Sequence, residues 1–119
     1  MYQKEREEKM GYLKIVDAKS YLPQERIENK QIEEKFNLKD GYIKKRTGIE
    51  ERHYVKDEKI EEMAIKAVEK ISKTNDISKV DLIIVATTSS KKIMPGISNY
   101  IQKRFKIKEC MCLDILARM

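Results

Sequence analysis

The 119-residue chain contains no tryptophan, one histidine, two cysteines, two prolines and four glycines. Each scarcity excludes something. Cys110 and Cys112 cannot form a disulfide framework, and nothing in their use points away from a reducing cytoplasm, the expected location. Two thiols and the lone His53, remote from them in sequence, are too few for a zinc site, so no metal is expected. The opening stretch 1–10, MYQKEREEKM, has no apolar centre, which excludes a signal peptide or a membrane span there. It reads as a charged N-terminal extension, with Met10 as an alternative start. No internal repeat, low-complexity tract or linker interrupts residues 11–119, which read as one unit.

What the chain has in abundance is charge. Charged residues make up 39% and hydrophobic ones 40%, and the apolar residues are blocked into periodic segments, the mark of a folded chain. Folding a chain of this length buries roughly 65% of its unfolded surface. The net charge of +6 suits acidic partners: nucleic acid, an acidic carrier protein or the phosphates of coenzyme A. Most lysines, however, alternate with glutamates along helical segments, as solvated faces do. The basic run Lys44-Lys45-Arg46 is short and acidic residues follow it at once, so nucleic-acid binding is the weakest reading and no nucleic-acid partner is expected.

Tyr12 to Tyr21 mixes β-branched and aromatic residues with polar ones and predicts a first strand ending before Pro23. Asn29 is placed to cap a short helix carrying Ile32 and Phe36. A second short element surrounds Tyr42 and Ile43 and closes at Gly48. Residues 50–55 suggest a short strand. Ile60, Met63, Ala64, Ala67, Val68 and Ile71 then recur at helical spacing, with Asp57 as the expected N-cap. Val80 to Ala86 holds four consecutive large aliphatics, the pattern of a parallel strand covered on both faces. Pro95 opens a helix with Ile97, Tyr100, Ile101 and Phe105 on one side, and Cys110 to Ile115 reads as a last buried strand. Strand, helices, strand, helix, strand predicts an α/β fold with a mostly parallel mixed sheet and flanking helices.

In such a sheet a site is expected in the loops after the strands. Arg46 and Arg52, with Lys44 and Lys45, cluster beside Tyr42. A guanidinium binds phosphate through paired hydrogen bonds and an aromatic ring offers a stacking face, the combination a nucleotide-bearing ligand needs. The competing reading is a capped turn. On a strand, Cys110 and Cys112 point to one face and read as small buried hydrophobes, not nucleophiles.

Three motifs follow one another in the chain: Asp40, Tyr42, Ile43 and Arg46-Thr47-Gly48-Ile49; then Ala86-Thr87-Thr88-Ser89; then Asp114-Ile115-Leu116-Ala117-Arg118-Met119. Together they resemble the N-terminal part of β-ketoacyl-acyl carrier protein synthase III, a condensing enzyme of the thiolase superfamily. The resemblance covers about residues 11–117. It implies a partial thiolase-like fold and coenzyme A contacts by Tyr42, in place of the family's tryptophan, and by Arg46. It places Met94, before Pro95, where the family has a phenylalanine lining the partner's acyl pocket across a dimer. Met94 also has an ordinary core reading. The family's catalytic cysteine falls five residues after its aspartate, where this chain has Met119; a thioether cannot become a thiolate, so no catalytic residue is assigned. Leu116 and Arg118 stand where the family prefers small residues, and Asp17-Ala18-Lys19 where it is rich in glycine. The family's catalytic histidine and asparagine lie downstream of the matched region, and His53 matches neither.

The resemblance therefore implies an N-terminal fragment, 11–119, of a synthase III-like acyltransferase. The complete enzyme would condense acyl-coenzyme A, a substrate and not a cofactor, with malonyl-acyl carrier protein in fatty acid initiation. Polyketide relatives share the motifs. The implied partners are acyl-coenzyme A, acyl carrier protein and a second copy in a homodimer, with no membrane. The chain itself is expected to be inert. The alternative, from a different class, is a non-catalytic dimerisation or interaction module for acyl-coenzyme A or the carrier protein.

Overall fold

Eight elements follow one another in the structure, a computed structural model that describes residues 11 to 90 and 94 to 116. They are β1 (Glu25–Glu28), α1 (Asn29–Lys35), α2 (Tyr42–Thr47), β2 (Glu51–Tyr54), α3 (Ile60–Ser72), β3 (Leu82–Thr87), α4 (Ile97–Arg104) and β4 (Met111–Leu116). The charged stretch 1–10, and Ala117, Arg118 and Met119 of the nucleophile motif, lie outside the described residues.

The α/β class is borne out, with the strands shared between two small sheets. β1 and β2 are antiparallel, Glu25 opposite Tyr54 and Glu28 opposite Glu51. β3 and β4 are parallel, in register from Leu82 opposite Met111 to Thr87 opposite Leu116. The connection between β3 and β4 carries α4, as a parallel pair requires.

The expected strand at Tyr12–Tyr21 is not one. A strand needs a neighbour for its backbone N–H and C=O groups, and among the described residues none runs beside this segment. Side chains tie it to α3 and the turn after it instead. Asp17 accepts from the Thr74 hydroxyl at 3.0 Å and the Asn75 amide at 2.7 Å, and Lys70 Nζ donates to the Ser20 carbonyl at 2.7 Å. The Tyr21 hydroxyl donates to Glu58 at 2.6 Å, and Lys66 pairs with the same carboxylate. His53 Nδ1–H donates to the Pro23 carbonyl at 2.6 Å, which gives that histidine a structural task.

The helices start one or two residues away from their expected caps. The N-caps are Glu28, Lys59 and Gly96, not Asn29 or Asp57, and Pro95 stands outside α4. Each start is held the same way, by the side chain three residues on accepting the N-cap N–H: Gln31 at 2.9 Å, Glu62 at 3.0 Å and Asn99 at 3.2 Å. This half of a capping box satisfies a donor that would otherwise face only water.

The hydrophobic core is small and sits under α4. Ile97, Ile101 and Ile107 are its buried aliphatics. Along β3 and β4, exposed and half-buried residues alternate. Ile83, Val85, Cys112 and Asp114 lie on the half-buried face, and α4 packs on both strands. The opposite face is open, which corrects the expectation of strands buried on both faces. Leu82, Ile84, Met111, Leu113 and Ile115 are each between 45% and 69% exposed, because no second layer covers them among the described residues. Phe36, expected on the apolar face of α1, is also exposed at the helix end.

Candidate functional site at the α1–α2 corner

α2 is only six residues long, too short to persist by its own hydrogen bonds. Its ends are built for it. Glycines in the left-handed region close both, Gly41 at φ 76° and Gly48 at φ 71°, a backbone that other residues adopt at a cost. The Thr47 hydroxyl donates to the Ile43 carbonyl at 2.7 Å and accepts from Ile49 N–H at 3.1 Å. The decisive anchor is Glu33 of α1, a carboxylate only 4% exposed. It accepts from Gly41 N–H at 3.1 Å and Ile43 N–H at 2.9 Å, at the positive end of the α2 dipole.

On this anchored turn Tyr42 and Arg46 fall four residues apart, on one helical face. The Arg46 guanidinium lies 4.6 Å from the centre of the Tyr42 ring. Of the four cations in the sequence cluster, two are already engaged. Lys44 pairs with Glu50, and its hydrogen bond and charge hold the Glu50 carboxyl below the usual carboxylate range. Arg52 donates to Asn29 Oδ1 at 2.5 Å and to the Ile27 carbonyl, while Asn29 Nδ2 donates to the Ile49 carbonyl at 2.6 Å. Arg52 thus fixes the corner. Arg46 has no carboxylate partner among the described residues, so its hydrogen-bonding edge is open to a ligand. An adjacent open hollow of about 660 Å³ is lined by Lys30, Glu33, Glu34, Asn37, Leu38 and Asp40. Three carboxylates against one lysine make it unsuited to a phosphate.

At the other end of the described chain, Met94 is 85% exposed, which removes its reading as core and leaves it presented on the surface before α4. Cys110 and Cys112 share the α4 side with their sulfurs 3.8 Å apart, and the Cys112 thiol donates to Gln102 Oε1 at 3.3 Å. They are half-buried, not fully buried as their strand context suggests. Partial burial, and then the neighbouring Cys112 thiol, push the Cys110 thiol up, away from a reactive thiolate. Among the described residues no group of three or more His, Cys, Asp or Glu side chains gathers to hold a metal. None of their helices is long and apolar enough to cross a membrane.

Two residues escaped the sequence reading as structural anchors. Glu33 carries no local signal, because its partners lie eight and ten residues away. Asp114 does carry one: a carboxylate among the aliphatics of a strand needs donors nearby. It finds them in α4, accepting from Ile97 N–H at 2.5 Å and Ser98 N–H at 3.0 Å.

No family model matches the chain. Curated proteins and solved structures do. The β-ketoacyl-[acyl-carrier-protein] synthase III 1 of Vibrio parahaemolyticus is 38% identical over 109 residues, 89% of this chain and 34% of that protein. The synthase III of Pasteurella multocida is 34% identical over the same shares. The structure superposes on 3-oxoacyl-[acyl-carrier-protein] synthase III from Aquifex aeolicus with a TM-score of 0.78 and 34% identity, over 87% of this chain and 34% of that one. The chain spans about a third of the length of the relatives it matches. By sequence and by fold alike, it matches one third of a β-ketoacyl-[acyl-carrier-protein] synthase III, the family whose N-terminal motifs it carries.

Proposed function

We propose that the α1–α2 corner receives the nucleotide end of coenzyme A, as part of a synthase III-like acyltransferase acting on acyl-coenzyme A and an acyl carrier protein in fatty acid initiation, in the cytoplasm. One observation carries this reading: Arg46 lies on the ring of Tyr42, without a carboxylate partner among the described residues, on a helical turn whose position the buried Glu33 sets. The pair supplies two flat surfaces for a base and an open guanidinium edge for phosphate. Met94 is the surface residue that would meet a partner copy or an acyl chain.

Titration calorimetry with coenzyme A, and with pantetheine as the ligand lacking the nucleotide, tests the proposal. Coenzyme A is expected to bind more tightly than pantetheine. Arg46→Glu and Tyr42→Ala are each expected to weaken it about tenfold, the scale of a lost charge-assisted hydrogen bond or a lost base stack. Equal affinity for the two ligands, or unchanged binding by both variants, would overturn it. Because Met119 occupies the nucleophile's place, incubation with radiolabelled acyl-coenzyme A is expected to leave no covalent label on the chain. A stable acyl adduct would refute its inertness.

The open apolar face of β3 and β4 favours a second reading, a non-catalytic module that associates with another copy of itself. The two readings share the same fold and differ in what the sheet face does in solution.

A further inference from the structure

We infer that Asp114 is a positioning residue: its carboxylate, seated in the space left by the missing side chain of Gly96, latches the start of α4 onto β4 and so sets where Met94 is presented. Three contacts make the latch. Asp114 Oδ2 and Oδ1 accept the Ile97 and Ser98 N–H groups at 2.5 and 3.0 Å, two of the donors a helix start leaves unpaired. A Cβ on Gly96 would lie 2.6 Å from Asp114 Cγ and Oδ2 and 2.9 Å from Oδ1, so even a methyl group would have to displace the carboxylate. Gly96 has an ordinary φ of −71°. It is therefore space, not backbone freedom, that requires glycine here. The Asn99 side chain, accepting from Gly96 N–H at 3.2 Å, fixes the same residue from the helix side.

No cation pairs with Asp114 among the described residues, so neutral donors alone hold its charge. Partial burial pushes its carboxyl up, but the Ser98 hydroxyl and the Ser98 and Ile97 N–H groups outweigh this and keep it below the usual carboxylate range. Met94 precedes Gly96 by two residues, and Asp114, on β4, is the first residue of the nucleophile motif. The latch thus couples the residue proposed to meet an acyl chain to the strand whose motif runs on to Met119, at the place where the family has its nucleophile. Its meaning for acyl specificity rests on the proposed function, whereas the latch rests on the geometry alone.

Nuclear magnetic resonance on the whole chain, with nitrogen-15 amides and carbon-13 methionine methyls, reads it directly. In Asp114→Asn the Ile97 and Ser98 amides are expected to exchange about tenfold faster, for loss of a charge-assisted hydrogen bond, and the Met94 methyl resonance to move. Amides of the β3–β4 ladder should keep their protection, which general destabilisation would not allow. Gly96→Ala should reproduce both changes. In the unsubstituted chain the Ile97 and Ser98 amide shifts should follow one protonation below the usual carboxylate range. That titration needs no variant, so the inference can fail even if Asp114→Asn does not fold. Unchanged Ile97 and Ser98 amides, or an unmoved Met94 methyl alongside altered amides, would overturn it. Coenzyme A binding is read at Tyr42 and Arg46, so either proposal can fail without the other.

Discussion

Replacing Ile101 with alanine is expected to remove most of the chain's stability. Among the described residues the core under α4 has three buried aliphatics, Ile97, Ile101 and Ile107, and α4 packs on both strands of the parallel sheet and on α3. An isoleucine-to-alanine change in a packed core costs about 2–5 kcal/mol, from lost transfer energy and the cavity left behind. Domains of this size are stable by about 5–15 kcal/mol, and so small a core places this one near the lower end. Urea unfolding followed by circular dichroism should show a large fall in midpoint, or no cooperative transition at all. Ile101→Val, which removes one methyl group, should cost only about 0.5–1.5 kcal/mol. A change below about 1 kcal/mol for the alanine variant would mean that α4 is not the centre of the fold.

The second large effect concerns the open sheet face. Leu82 and Met111, Ile84 and Leu113, and Ala86 and Ile115 are ladder neighbours on that face, and all are exposed. A parallel sheet ordinarily has both faces covered, so this surface is expected to drive association between copies of the chain. Sedimentation velocity should show concentration-dependent association of the unsubstituted chain. The pair Ile84→Glu with Leu113→Lys places opposite charges on adjacent strands, where they can satisfy one another. It is expected to leave the circular dichroism unchanged and the chain monomeric. Removing two aliphatic anchors costs association on the order of 3 kcal/mol or more, over a hundredfold in dissociation constant. A discrete dimer dispersed by this pair supports the interaction module. Heterogeneous aggregates dispersed by it support an uncovered enzyme layer. An unsubstituted chain that stays monomeric at every concentration rules out association through the face.

Much of the local structure was legible in the residues. The helical spacing from Ile60 to Ile71 and the aliphatic run before Thr87 located α3 and β3. The Cys110–Ile115 pattern located β4 to within a residue. Gly48 marked the end of α2, and the four-residue spacing of Tyr42 and Arg46 was enough to bring them together once the turn became a helix. These features depend on neighbours a few positions apart, so the order of residues determines them. The resemblance to synthase III was legible for the same reason, because its motifs are short and linear.

Tertiary placement decided the rest. Tyr12–Tyr21 has the composition of a strand, but strand formation requires a partner that composition cannot supply; Glu25–Glu28 found one in β2 instead. Periodicity shows which side of β3 is apolar, not whether anything covers it. Lys44 and Arg52 resemble Arg46 in sequence, yet Glu50 and Asn29 engage them and leave Arg46 open. Glu33 beneath Ile43, and Asp114 against Gly96, join positions ten and eighteen residues apart. Residue order alone determined the helical spacing of α3, the apolar runs of β3 and β4 and the family likeness, because those arise from neighbours along the chain. Which charges are spent, which face stays bare and which carboxylates act as anchors arise from contacts across it, and only the folded arrangement decided them.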